Sequence, residues 1–235
     1  MCHSQLTNKK VTIMIVNTMS FEEIGSAITR AFQSNVEKLQ NCISPYEGKY
    51  KRIIQKSDRR FDFVPVSFLA DGIRFYVCPY SRSKSEYKKY GLMFGVFVHF
   101  FYQGTNWYVM LCGKGFDSLQ MYKQHFFERY IERYLKDGSS VSIDTVRHYF
   151  KETDYITDCK FIENPKYQNC VYGATDAGLC CGYYVNKKII VWSTYLDPST
   201  IERGNKQEVL TDYANSLPAI GIDSFGQRIF PINYR

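Results

Sequence analysis

No stretch of this chain approaches the ~18 uninterrupted apolar residues that a membrane helix requires, so no spanning segment is expected. Proline is sparse, at 7 in 235 residues, and no repeat or low-complexity linker interrupts the chain. With 45% hydrophobic residues, this composition excludes a wholly disordered protein. The signature loops are missing too. There is no P-loop, no G-x-G-x-x-G, no G-x-S-x-G elbow and no H-E-x-x-H, which removes the usual nucleotide, dinucleotide, hydrolase and zinc-protease sites. The eight cysteines include no C-x-x-C pair, so zinc ligation has no spacing to start from, and a chain of this size needs no disulfide staples. Reduced thiols are expected, with no metal and no cofactor. Lys9 and Lys10 precede only the short apolar run Val11 to Val16, with no small-residue cleavage site, which makes the cytoplasm the expected location.

What the chain has in excess is aromatic: 20 Tyr and 17 Phe, side chains that pack well on pleated sheet. Phe61 to Phe68, Ile73 to Pro79, Leu92 to Tyr102 and Trp107 to Cys112 read as strands of an antiparallel meander, with Asp71-Gly72 and Gly104-Thr105-Asn106 as tight turns. Tyr80 to Tyr90 reads as a polar, basic loop between two of them. Asn169 to Tyr172, Gly178 to Val185 and Lys188 to Tyr195 read as further strands, the last two joined at Asn186-Lys187.

Helices are expected around these strands. One, capped by Thr18 or Ser20, carries Phe21, Ile24, Ile28, Phe32 and Val36 and ends near Gln40; a shorter one runs from Glu47 to Asp58. Another runs from Tyr122 to Lys136 and stops at Asp137-Gly138, and Ser142 caps one over Ile143 to Phe150. A last helix is expected at Lys206 to Leu217. The expected fold class is α+β: an antiparallel β meander packed with a few helices, one domain over residues 1–235. Residues 1–60 form its helical, basic part, 61–197 its sheet core with the histidine helix, and 198–235 a tail.

The formal charge of +7 is concentrated. Between Lys49 and Lys89 there are eleven basic residues against four acidic ones, so this segment alone accounts for the whole excess. Lys49, Lys51, Arg52, Arg59, Arg60, Arg82, Lys84, Lys88 and Lys89 are candidate nucleic-acid contacts, because Tyr50, Phe61, Phe63, Phe75, Tyr76, Tyr80, Tyr87 and Tyr90 are interleaved with them. Cations for phosphates and rings for bases are the mixture that single-strand binding uses, and RNA is the expected partner. The plainer reading is that such residues only keep the protein in solution.

The segment from Tyr122 to Lys136 sorts into two faces at ~100° per residue. Phe127, Tyr130, Ile131, Tyr134 and Leu135 form the apolar stripe of a helix lying on a core. His125, Glu128, Arg129, Glu132 and Arg133 form the other face, where an imidazole and two guanidinium groups are within reach of one phosphate. Read plainly, that face is a solvated ion-pair network. Asp154, Asp158 and Glu163 are carboxylates in a polar connection and read as solvated, and His99 reads as a core or sheet-face residue.

A His-x-x-x-Arg-x-x-x-Arg helix at His125, Arg129 and Arg133, a short second helix, and paired strands closing on Trp192-Ser193-Thr194-Tyr195 follow one another here. This order resembles the small bacterial toxin ribonucleases of the barnase, EndoU, colicin and RelE-like superfamily, over about 70 residues. Asp176-Ala-Gly178-Leu-Cys-Cys-Gly182 matches the hairpin before the late strand. The resemblance implies a metal-independent, toxin-type endoribonuclease, with an antitoxin or immunity protein as a partner. Such cleavage needs a base for the 2′-hydroxyl, an acid for the leaving oxygen and a cation for the phosphorane. His125 or His148 would supply the first two, Arg129 and Arg133 the third, and Thr194 would orient a phosphate oxygen. The competing expectation is a non-enzymatic binding protein with a basic aromatic surface, in which His125, Arg129 and Arg133 only hold a helix to a sheet.

Overall fold

Ser20 starts the first helix. Its Oγ accepts the N–H of Glu23 at 3.2 Å while the Glu23 carboxylate accepts the Ser20 N–H at 2.7 Å, a reciprocal capping box that opens α1 (Phe21–Gln33). Ile24, Ala27, Ile28, Ala31 and Phe32 recur on one side of α1 and are buried. Because Ser20 is exposed, its loss removes little except the cap. Ser20→Ala is expected to cost about 1 kcal/mol in a urea unfolding curve, with the slope unchanged.

The computed structural model describes residues 15–113, 116, 118–153, 155, 158–161, 169–175 and 178–197. Their elements bear out an α+β fold. The contacts gather in two compact units, Met1–Leu119 and Gln120–Arg235. No helix among the described residues is long and apolar enough to cross a membrane.

In the first unit α1 is followed at once by α2 (Val36–Gln55), so the expected break near Gln40 falls instead at Ser34 and Asn35. Pro45 lies inside α2, where it removes a helical hydrogen bond. The stripe Leu39, Ile43, Tyr50 and Ile54 is buried on both sides of it, and that shared burial holds the two halves in one helix. The strands are β1 (Phe61–Asp62), β2 (Val66–Ala70), β3 (Ile73–Ser81), β4 (Met93–Tyr102) and β5 (Thr105–Cys112). They run antiparallel in the order β1-β3-β4-β5, with β2 on the same edge of β3 as β1. Asp71-Gly72 and Gln103-Gly104 turn the two hairpins with positive φ at both residues, the twist a two-residue turn needs. Phe32 against Phe75 and Phe21 against Trp107 seat α1 on one sheet face. His99 lies on the other face, stacked on Tyr108 at 4.9 Å with Nε2 3.0 Å from Asn106 Oδ1. The segment read as a loop contains α3 (Lys84–Tyr90), capped by Ser83, whose Oγ accepts the Glu86 N–H.

β6 (Ser118–Lys123) enters the second unit at Gln120 and is followed there by α4 (Gln124–Tyr130) ending in a π-helical turn (Ile131–Leu135), α5 (Ile143–Glu152), β7 (Asp158–Phe161), β8 (Cys170–Thr175), β9 (Gly178–Asn186) and β10 (Ile189–Leu196). The strand order is β6-β10-β9-β8-β7. Ser142 caps α5 as expected, its Oγ accepting the Thr145 N–H at 3.1 Å. The core under α4 and α5 is almost wholly aromatic: Tyr122, Phe126, Phe127, Tyr130, Tyr149, Phe150, Trp192 and Tyr195 are all at most 1% exposed. Most of these rings meet edge to face, the arrangement that opposes positive ring edges to negative faces. Gln120 satisfies two buried donors at once, accepting Tyr122 OH at 2.7 Å and Trp192 Nε1 at 3.1 Å on one carbonyl oxygen. Gly182 lies opposite Trp192, and a Cβ there would come within 2.3 Å of the Val191 carbonyl. The expected helix at 206–217 lies outside the described residues.

Candidate functional site

β6 runs directly into α4, which sets His125 and Glu128 on the exposed side of the helix and Phe126 and Phe127 on the buried side. The exposed side is closed by its own hydrogen bonds. Arg129 Nε–H donates to His125 Nε2 at 3.3 Å, so that nitrogen is an acceptor, and His125 Nδ1 at 3.2 Å from Glu128 carries the proton. Arg129 is also paired with Glu132, and Gln124 donates to Glu128 at 2.9 Å. Both imidazole nitrogens are thus engaged by neighbours on the same helix, and the Arg129 guanidinium already holds a carboxylate.

The π turn alters the rest of the face. Lys136 N–H reaches back five residues to the Ile131 carbonyl at 2.7 Å, with Lys136 itself in the left-handed region at φ 54°. Within that wider turn Arg133 donates to the Tyr195 carbonyl, tying the helix to β10. Tyr134, expected in the apolar stripe, is 41% exposed and stacks outside Tyr130, while Leu135 is only half-buried. Phe127, Tyr130 and Ile131 are buried as the periodicity requires.

Thr194 is not brought to this face. Strict alternation would put it with Trp192, but a bulge at Ser193 shifts the register, so that Trp192 pairs with Gly182, Thr194 with Cys181 and Tyr195 with Cys180. Trp192 and Tyr195 both point at the helices, where they touch Tyr122, Phe126 and Tyr130. Thr194 therefore shares the opposite face with Cys181, which packs on Leu179 and Leu196. Cys180 faces α5, 3.1 Å from Tyr149 OH, so the two neighbouring thiols lie on different faces. His148 is on α5, exposed, with Nδ1 3.0 Å from Tyr130 OH. Burial pushes the hydroxyls of Tyr130 and Tyr195 above the ordinary phenol range. Of the five candidate catalytic residues, then, only His125 and Arg129 are joined by a hydrogen bond. Asp154 and Glu163, and the Asp158 side chain, lie outside the described residues.

The basic candidates of the first unit are brought together more closely than their spacing in sequence requires. Lys49, Arg52 and Lys56 recur at i, i+3 and i+7 on one exposed side of α2, and Lys51 stands on another. Asp58, just past α2, accepts the backbone N–H of Lys84 at 2.9 Å, which pins the start of α3 beside the turn that carries Arg59 and Arg60. α3 packs against α2 and presents Lys88 and Lys89 to solvent, with Lys89 4.7 Å from the ring of Tyr90. Three of the four acids of this segment lie beside partners within it. Asp62 pairs with Arg60 at 2.9 Å, Glu86 approaches Arg82 at 4.0 Å, and Asp58 is bound to the α3 backbone. Among the described residues Lys49, Lys51, Lys56, Arg59 and Lys88 form no ion pair. Arg74 is elsewhere, on β3 opposite His99.

Tyr46, just outside the counted segment, is the ring of this region that charge counting passed over. Tyr46 stacks on Tyr50 and Tyr50 on Phe63, and Arg59 lies over Phe61 at 5.0 Å. The signal for Tyr46 was the i, i+4 spacing of two tyrosines on one helix. Comparison with protein-family models, curated proteins and solved structures finds no match.

Proposed function

We propose that this protein binds single-stranded RNA through the cationic and aromatic surface of its first unit, at α2, the turn after it and α3. The observation that carries this reading is the gathering of Lys49, Lys51, Lys56, Arg59 and Lys88 on α2, the turn after it and α3, none of them in an ion pair among the described residues. A surface on which cations outnumber acids keeps a net positive field, and such a field attracts a polyanion. Half-buried rings beside those cations suit the unpaired bases of a single strand. His125, Arg129 and Arg133 act in this reading as a clasp: the first two knit α4 to itself, and the third holds it to β10.

The test is fluorescence anisotropy with a labelled oligouridylate over a salt series. Five phosphate contacts on a single strand give a slope of log K against log salt near −3.5, or about a 100-fold loss of affinity between ~50 and ~200 mM salt. A salt-independent affinity, or none at ~50 mM, defeats the reading.

A further inference from the structure

The rings along α2 carry an inference that rests on the RNA-binding reading above and names where a base sits. Tyr46 and Tyr50 stand one turn apart and stack at 6.0 Å with 19° between their planes. Tyr50 lies on Phe63 at 3.9 Å and 21°, and Phe63 on Phe61 at 6.2 Å and 9°. The Arg59 guanidinium, 5.0 Å from the centre of Phe61, closes that end of the column.

Near-parallel pairs occur elsewhere, Phe68 on Phe75 and Tyr130 on Tyr134, but here the near-parallel contact runs through four rings. A parallel run of rings with a bare end offers a flat face to another π system. The bare end is Tyr46. Tyr50 is 7% exposed and Tyr46 is 46% exposed. Stacking on Tyr50 already orders the Tyr46 ring, so a base that lands there has little side-chain freedom left to freeze. Lys49 follows three residues later, with Arg52 and Lys56 continuing along the exposed side of α2.

We propose that Tyr46 is a base-stacking position. An unpaired base lies on the open face of the Tyr46 ring and lengthens the column by one plane, while phosphates of the same strand follow Lys49, Arg52 and Lys56. Every base has a π face, so this contact tolerates any sequence.

The experiment compares two labelled strands of equal length, an oligouridylate and an abasic ribose-phosphate strand, on the wild type, Tyr46→Ala and Tyr46→Trp. Expected is a loss of about 5- to 150-fold for the oligouridylate in Tyr46→Ala, with the abasic strand bound as before. Tyr46→Trp is expected to restore the affinity, its added emission quenched by the oligouridylate alone. If Tyr46→Ala binds the oligouridylate as the wild type does, or loses both strands equally, the stacking position is overturned and the RNA reading stands. If the wild type binds neither strand, both fall.

Discussion

With Lys49, Arg52 and Lys56 all changed to glutamine, affinity for an oligouridylate at ~0.1 M salt falls about 100-fold, and the salt slope shrinks by about 2. The size follows from counterion release, at about 0.7 ions per phosphate neutralised on a single strand. Three contacts are removed from one side of one helix, and none of the three side chains is in the core. The fold therefore has no reason to weaken. A matched triple, Lys123→Gln, Lys136→Gln and Lys187→Gln, takes the same charge from exposed positions of the second unit. It separates location from net charge, and little change is expected. If the two triples weaken binding equally, the interaction is with the protein's overall charge and the surface on α2 has no special part.

Phe127→Ala is expected to destabilise the protein by about 3–5 kcal/mol, read from the urea midpoint at constant slope. Phe127 is fully enclosed, with ring centres of Tyr122, Phe126, Tyr149 and Phe150 between 5.3 and 6.0 Å away. Truncation leaves a cavity among large rigid rings that have few other rotamers to collapse into, and it deletes several edge-to-face pairs. His125→Ala, two residues earlier on the exposed side, should fall within about 0.5 kcal/mol of wild type. Equal effects from the two substitutions would refute the division of α4 into core and solvent faces.

Periodicity made much of this fold readable. Ile24, Ile28 and Phe32 announced α1, Ser142 announced α5, and Asp71-Gly72 announced a hairpin, because each of these signals acts within a few residues. The misreadings came where one residue reset a period or distant packing overruled a local rule. Pro45 argued for a break that burial of Ile43 and Tyr50 on either side prevented. The extra residue of the π turn carried Arg133 from the histidine face to the sheet, and the Ser193 bulge sent Thr194 to the far side of β10. Counting by 3.6 or by 2 cannot see either insertion, since each depends on what the backbone pairs with. α3 was legible in principle: Ser83-Lys-Ser-Glu86 is the pattern of a capped start, hidden among lysines that drew the reading toward loop.

The bond from Lys84 N–H to Asp58 also makes one helix depend on another. A helix of seven residues has no persistence of its own in water, since isolated helices need roughly twice that length to be even marginal. The order of α3 is therefore borrowed from the end of α2, to which this bond and the packing of the two helices join it. The amide of Lys84 reports on that junction: its hydrogen exchanges in proportion to the fraction of time that the bond to Asp58 is open.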